Sequence, residues 1–314
     1  MAADLLRAPP DSRRNVASGP QSEAKVFGSP KPKRAAAEVA GAVPEIRRLP
    51  AFAPEQALLE RAADFLRRKL GRDLQREIVR EYERAFREGR HDFPARVDLP
   101  FRYGKHLPER VVELLLARLT YEPGMKVLDV GHANGMECHL AMLRSLPSPR
   151  DLTGIDIAEA AYDTSSCYTK SIRGSIGATP FGDETFDLIW CISSLEHVGM
   201  DNSGYVQGEV GETTPEAALS EMVRLLRPGG CLLITVPFGR YEDHGWFRNF
   251  DEARLQRLLN PVRRRTTVQE LYYQHTRTSG WKAAEPRDLR TVGYRDQGNA
   301  GAAALAAVLI TNRS

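Results

Sequence analysis

The residues with the clearest chemical potential form a glycine turn followed by an acidic residue. The segment Val127–Gly135 is typical of a short strand that ends in a tight turn and opens a helix. Glycine lets the backbone approach a ligand closely, and the first turn of a helix offers unpaired N–H groups. Asp156 ends the next apolar segment, about 20 positions further on, where a carboxylate can accept hydrogen bonds from both hydroxyls of a ribose. This order favours an adenosine-containing ligand, and an ordinary turn with a surface aspartate is the alternative.

Histidines that follow two later apolar segments are candidates for proton transfer. His197 follows the fourth segment, and His244 lies beside Asp243 in the loop Pro237–Phe247 after the fifth. Imidazole can take a proton near neutral pH, and ligands of open α/β sheets bind where these loops lie. We therefore predict His197, His244 and Asp243 as catalytic residues, while a structural role for His197 remains the alternative.

Other parts of the chain could complete this site. A divalent metal could be held by Asp201, Asp243 and His244, but their spacing does not require one, and we predict a site without metal. Tyr103–His106 and the segment from Trp281 to Gln297 could cover the pocket, or they could be packed surface loops.

The elements that must position these residues alternate between short apolar segments and helical ones. The predicted strands are Lys126–Val130, Leu152–Ile155, Ser171–Ile176, Phe186–Ile192 and Cys231–Val236. Helices are predicted at 136–146 and 215–226, and another from Asp251 to Leu259. Strands that are separated by helical crossovers pair in parallel. The fold class is therefore α/β, a doubly wound and mostly parallel sheet.

The region before this sheet has a different pattern. Residues 54–90 carry apolar side chains at helical spacing, which predicts two amphipathic helices that meet near Gly71, and a third helix is predicted at Pro108–Leu119. Residues 1–50 are rich in Pro, Ala, Ser and basic side chains, which is typical of a disordered tail. We predict a basic tail at 1–50, a helical extension at 51–120 and a catalytic domain at 121–314.

Charge and composition narrow the range of partners. Residues 1–50 contain 9 Lys and Arg against 5 Asp and Glu, and the remaining residues contain 35 against 36. A nearly neutral folded part makes nucleic acid an unexpected partner, since phosphate binding needs a basic face. The apolar runs are far shorter than the roughly 20 residues that cross a bilayer, and the start lacks a signal sequence. Four scattered cysteines without a CxxC pair favour a cytoplasmic location.

Five blocks, taken in order, resemble the class I S-adenosylmethionine-dependent methyltransferases. The blocks are Val127–Gly135, Thr153–Asp156, Thr179–Asp187, Ile192–Val198 and Leu225–Gly230. Their joint occurrence is far more specific than any single glycine motif. The resemblance implies S-adenosylmethionine as cofactor and a seven-stranded sheet. Its last two strands would form an antiparallel pair, for which Val268–His275 and Ala303–Ile310 are the candidates.

The resemblance also implies cofactor contacts, residue by residue. Carried over by position, they fall on Asp129, Gly131, Ala133, Gly135, Asp156, Ser175, Ile176 and Ser193. Asp129 and Gly131 would line the methionine end and Asp156 would bind the ribose. The chain departs from the family pattern at Ala133, where a glycine is usual, and at Ser175–Ile176, where an acid often contacts adenine.

A nicotinamide dehydrogenase is the competing nucleotide-binding interpretation. Its turn needs glycine at the first, third and sixth positions, which here are Gly131, Ala133 and Met136. We therefore predict an S-adenosylmethionine-dependent methyltransferase that acts on a small polar acceptor, such as a hydroxyl of a sugar or another metabolite. A non-catalytic cofactor-binding module and an RNA or protein methyltransferase are the alternatives. The expected partner is a small molecule, without a membrane, and the oligomeric state is not predicted.

Overall fold

The structure is a computed structural model. It describes residues 53–89, 91–133, 135–160, 163–204, 206, 213–298 and 301–313, so the predicted tail at 1–50 lies outside the described residues. Within the described ranges, residues 69–313 belong to one compact unit that contains the sheet, and residues 53–68 belong to a second unit. None of the helices in the described part of the chain combines the length and apolarity that a bilayer crossing requires.

Six α-helices are present in the described ranges. In chain order they are α1 Ala53–Glu88, α2 Arg110–Thr120, α3 Glu137–Ser145, α4 Pro215–Leu225, α5 Glu252–Leu259 and the short α6 Pro286–Leu289. Two starts follow from local sequence: the side chains of Thr214 and Asp251 accept hydrogen bonds from backbone N–H groups in the first turns of α4 and α5.

The prediction of two helices meeting near Gly71 is wrong, because α1 is continuous from Ala53 to Glu88. The apolar positions after Gly71, including Ile78 and Tyr82, reach the core at helical spacing. A glycine in a helix interior costs about 1 kcal/mol relative to alanine and does not by itself end the helix. Burial of that apolar face therefore outweighs the preference of glycine for a break.

Twelve short and long strands accompany these helices in the described ranges. They are β1 His91–Asp92, β2 Arg96–Val97, β3 Lys126–Val130, β4 Asp151–Asp156, β5 Lys170–Arg173, β6 Phe186–Ile192, β7 Leu226–Pro237, β8 Glu242–Asp243, β9 Arg248–Asn249, β10 Thr266–Thr276, β11 Gly280–Ala283 and β12 Ala304–Asn312. The pairs β1–β2 and β8–β9 are small hairpins. The remaining eight strands form the central sheet.

The order of the central sheet is β11-β10-β12-β7-β6-β3-β4-β5. From β7 to β5 all pairings are parallel, whereas β12 pairs antiparallel with both β7 and β10. The predicted α/β class and the antiparallel pair near the end of the chain are confirmed. The predicted count of seven strands is too low by one, since a hairpin at residues 276–280 returns the chain as β11 against β10.

Helices cover the two faces of the sheet. Successive residues of β6 point to opposite faces, so Trp190 packs with α2 and α3 while Ile189 packs with α4 and α5. The second part of α1 lies in the same core as α2. This three-layer arrangement brings the carboxyl ends of β3, β4, β5 and β6 to one edge, where ligands of such sheets bind.

Candidate active-site cleft

A cleft of about 1370 Å³ lies at the carboxyl edge of the parallel strands. Its lining includes Gly131, Asp156, Ser175, Ile176, Ser193 and His197, which follow four different strands. Pockets for a single small ligand usually measure about 300–1000 Å³. The cleft is therefore large enough for a nucleoside cofactor and a second molecule beside it.

The first wall of the cleft is the glycine turn after β3. Gly131 has φ of +83°, and a Cβ atom at this position would lie 2.0 Å from Oγ of Ser194. Its backbone N–H donates to the carbonyl of Ile155 at 2.9 Å, which ties the turn to β4. Only glycine fits both the left-handed conformation and the close approach. The turn thus packs closely against Ser194, and Gly131 lines the cleft.

The second wall is Asp156 at the end of β4. One carboxylate oxygen accepts the N–H of Ala133 and the other accepts the N–H of Ala158, each at 2.8 Å. Each carboxylate oxygen can accept a further hydrogen bond. The backbone therefore fixes the carboxylate in place and leaves it able to accept the two hydroxyls of a ribose. These features fit an adenosine cofactor, with Gly131 and Asp156 as the groups that would hold it.

Three of the predicted cofactor residues do not line the cleft. Asp129 is 2% exposed, and its carboxylate accepts hydrogen bonds from Nε2 of His139 at 2.7 Å and the hydroxyl of Tyr168 at 2.6 Å. Burial raises the pKa of Asp129, but His139 and the two hydrogen bonds outweigh it and keep the pKa below its usual value. Ala133 and Gly135 belong to the turn but not to the cleft lining, and Ala133 is 1% exposed.

Ser193 lies at the end of β6 in a strained backbone conformation with φ of +44°. Its hydroxyl donates to Oε1 of Glu113 at 2.6 Å, and the hydroxyl of Thr235 donates to the same atom at 2.7 Å. Glu113 is completely buried in α2, and its other oxygen lies 3.3 Å from Nη1 of Arg110. Through Glu113, helix α2 is therefore hydrogen-bonded to the ends of both β6 and β7.

His197 is the one predicted catalytic residue that lines the cleft. Its Nδ1 atom lies 2.9 Å from the carbonyl oxygen of Trp246, and the two rings are 4.7 Å apart. A carbonyl only accepts, so Nδ1 carries the proton and Nε2 carries the lone pair in the neutral ring. Burial lowers the pKa of His197 to about 4, so the ring is neutral at physiological pH.

Asp243 and His244, the other two predicted catalytic residues, do not line the cleft. Asp243 is exposed and accepts the N–H of Gly245 at 2.8 Å, while the ring of His244 stacks on Phe247 at 4.4 Å. The loop instead supplies Trp246 to the lining. No group of three metal-binding side chains occurs in the described ranges, and this includes the neighbourhood of Asp201.

The segments expected to cover the pocket pack mainly on each other. The N–H of Trp281 donates to the carbonyl of Tyr103 at 2.7 Å, and its indole N–H donates to the carbonyl of Leu107 at 3.0 Å. Of these segments, Tyr294 lines the cleft. It lies before β12, in the stretch that the sequence leaves irregular.

The sequence interpretation did not identify an acidic wall opposite the glycine turn. Its members line the cleft or lie directly behind the lining. They are Glu109, Arg110, Glu113, Glu196 and Tyr294. Helical patterning assigns charged residues at the start of α2 to solvent, so no local signal predicts their burial. Glu196 stands inside one of the five quoted blocks, but neither its depth nor its neighbours can be inferred from the block.

A family model and one curated relative match parts of this chain. Residues 128–234 match the family model described as a methyltransferase domain. An uncharacterised protein of Methanocaldococcus jannaschii is 28% identical over 145 residues, which are 46% of this chain and 55% of that protein. The chain therefore spans about half the length of this curated relative. The match to the family model confirms the resemblance drawn from the sequence blocks.

Several solved structures are similar in their coordinates. The YcgJ protein of Bacillus subtilis has a TM-score of 0.44 and 16% identity, covering 65% of this chain and 99% of its own. An S-adenosylmethionine-dependent methyltransferase of Thermotoga maritima, a possible histamine N-methyltransferase, has a TM-score of 0.40 and 16% identity, covering 65% and 88%. The 1,6-didemethyltoxoflavin-N1-methyltransferase of Burkholderia thailandensis, bound to 1,6-didemethyltoxoflavin and S-adenosylhomocysteine, has a TM-score of 0.40 and 15% identity, covering 61% and 72%.

Proposed function

We propose that this chain, whose residues 128–234 match a methyltransferase-domain family model, transfers the methyl group of S-adenosylmethionine to a small polar acceptor. The acceptor group is a hydroxyl, as in a sugar or another metabolite. The observation that carries the proposal is one cleft of about 1370 Å³ that joins the glycine turn, Asp156 and His197. Its size supports binding of two small molecules side by side.

Each of these residues has a distinct role in the proposal. S-adenosylmethionine supplies a methyl group bound to a positively charged sulfur atom. Gly131 lines the part of the cleft that would hold the cofactor, and Asp156 accepts its ribose hydroxyls. The strained Ser193 and the buried Glu113 hold the neighbouring turn in a fixed position. Fixed positioning and exclusion of water supply much of the acceleration in such displacements.

His197 takes the proton of the acceptor hydroxyl. As the acceptor oxygen bonds to the methyl carbon, its hydroxyl proton becomes strongly acidic, so a weak base suffices. The imidazole is neutral at physiological pH because burial keeps its pKa at about 4. Nδ1 donates to the carbonyl of Trp246, so the basic lone pair of the neutral ring is on Nε2, the atom that takes the proton in this proposal.

A labelled-methyl assay tests this proposal. The protein is incubated with S-adenosylmethionine that carries a tritiated methyl group and with an extract from a strain lacking the protein. We expect label in the small-molecule fraction and a loss of at least about tenfold with His197→Gln, since a general base contributes about 10²–10⁴-fold. The matched control is His106→Gln, because His106 is exposed and does not line the cleft.

Three outcomes of the assay would contradict parts of the proposal. Absence of label from every fraction would contradict methyl transfer, and label in protein or RNA would contradict a small acceptor. Loss with His244→Gln but not with His197→Gln would move the base to the β8–β9 hairpin. The affinity of each variant for S-adenosylhomocysteine is measured alongside to separate catalysis from binding.

A further inference from the structure

The acidic wall of the cleft contains a buried carboxylate without a partner. Glu196 lines the cleft, yet it is only 4% exposed, and its Oε2 atom makes no hydrogen bond within the part of the chain that the structure describes. A buried carboxylate that lacks a partner costs free energy, and native proteins rarely retain one without a reason. This oxygen can therefore accept a hydrogen bond from a ligand that enters the cleft.

The charges around Glu196 are unbalanced. Glu109 and Glu113 act on it as like charges, and Arg110 is the cation among the groups that shift its pKa. Arg110 is already committed, since its Nη1 lies 3.3 Å from Oε2 of Glu113. Glu109 accepts the N–H of Ala302 at 2.9 Å, a backbone group that carries no charge. Three carboxyl groups therefore share one guanidinium.

The pKa values of these groups reflect burial and repulsion between carboxylates. Burial raises the pKa of Glu196 well above its usual value, and repulsion from Glu113 adds to this, while Arg110 opposes it. Burial and Glu113 likewise raise the pKa of Glu109 to about 7. Tyr294 faces the same group from the segment before β12, and burial with the nearby carboxylates raises its pKa. A positive ligand beside Glu196 and Glu109 would favour the ionised forms of both carboxyl groups.

We propose that Glu196, with Glu109 and Tyr294 beside it, is a subsite for a primary ammonium group on the methyl acceptor, so that the acceptor is an amine-bearing hydroxy compound. This inference rests on the proposed function and deepens it. An ammonium group offers three N–H donors, which match the unpartnered oxygen of Glu196 and the neighbouring oxygens. A divalent metal fits less well, because no group of three metal-binding side chains is found in the described ranges.

The position of the subsite suits an acceptor rather than the ribose of the cofactor. Glu196 precedes His197 directly in the turn after β6, whereas Asp156 follows β4, on the far side of β3 in the sheet. An ammonium group held by Glu196 would anchor one end of an acceptor whose hydroxyl points toward His197. No covalent change at the ammonium group is part of the proposal.

Matched pairs of probes test the subsite. The full chain is saturated with S-adenosylhomocysteine and titrated with glucosamine and glucose, and with tyramine and 4-ethylphenol, while ligand-observed NMR reports binding. We expect the amine of at least one pair to bind at least about tenfold more tightly than its uncharged partner. Glu196→Gln is expected to remove that advantage. Glu216→Gln is the matched control, because Glu216 lines the same cleft but is exposed.

A second measurement is independent of the variants and of their folding. Burial raises the pKa of Glu196, and a bound ammonium group would lower it again, so we expect binding of an amine to release protons, which titration calorimetry in buffers of different ionisation enthalpy detects. The inference is overturned if no amine is preferred, if the preference survives Glu196→Gln, or if no proton is released. It is also overturned if Mg²⁺ alone binds and Glu196→Gln abolishes that binding. Failure of S-adenosylhomocysteine to bind would instead contradict the proposed function.

Discussion

Replacing Gly131 by alanine perturbs the turn that lines the cleft after β3. Its φ of +83° costs a non-glycine residue about 1–2 kcal/mol. The new Cβ would also lie 2.0 Å from Oγ and 2.7 Å from Cβ of Ser194, so Ser194 must move. Such overpacking costs about 1–3 kcal/mol. The Ser194 hydroxyl contacts the carbonyls of Val130 and Ile192 at 3.1 and 3.0 Å, and their loss adds about 1 kcal/mol.

We therefore expect Gly131→Ala to lower the free energy of unfolding by about 3–6 kcal/mol, measured by urea denaturation. Gly229→Ala is the matched control, because Gly229 has φ of +76° but its Cβ would have no atom within 4 Å. The expected loss of unfolding free energy for Gly229→Ala comes from the left-handed backbone conformation alone and is about 1–2 kcal/mol. Adding Ser194→Gly to Gly131→Ala removes the clashing atoms and should recover stability. Equal losses for the two alanine variants, or no recovery in the double variant, would refute the steric argument.

Two further predictions concern residues beneath and beside the cleft. Glu113→Ala leaves the hydroxyls of Ser193 and Thr235 and the guanidinium of Arg110 without their acceptor, so urea denaturation should show a loss of about 3–5 kcal/mol; a loss below about 1 kcal/mol would contradict this network. Burial lowers the pKa of His197 from 6.5 to about 4, so the unfolded state binds more protons between these values. Stability from the neutral ring is then present above pH 6.5 and is lost as the pH falls through about 4, and thermal unfolding of His197→Gln should show a weaker pH dependence over that range. An unchanged pH dependence in this variant would contradict the burial of the ring.

The sequence predicts the sheet well because its strands are short, apolar and separated by helices. The predicted β3 and β6 have the observed bounds, Lys126–Val130 and Phe186–Ile192. The sequence is a weaker guide where one residue and a long periodic pattern point to different structures. Gly71 suggests a break, but the helical pattern continues on both sides of it and the helix is unbroken. The strand β11 has only four residues, too few for a periodic signal to emerge.

The acidic wall could not be predicted, because its burial depends on contacts between distant parts of the chain. Glu113 and Thr235 are 122 positions apart, and Glu109 meets Ala302 across 193 positions. A charged residue at a helix start has the same local pattern whether it faces solvent or a cleft. Asp129 shows the converse case: the blocks imply a cofactor contact, whereas the side chain is buried outside the cleft lining and its Oδ2 atom is bonded to His139 and Tyr168.

Titration calorimetry with S-adenosylhomocysteine tests the central claim, that the cleft holds the cofactor through Gly131 and Asp156, most directly. The account predicts binding of one molecule per chain, weakened in Asp156→Ala by about 3 kcal/mol, or roughly 100-fold, since two hydrogen bonds to a charged carboxylate are lost. Asp243→Ala is the matched comparison, because Asp243 is exposed and stands outside the cleft lining. Absence of binding by the unaltered chain, or equal affinities for Asp156→Ala and the unaltered chain, would contradict the account.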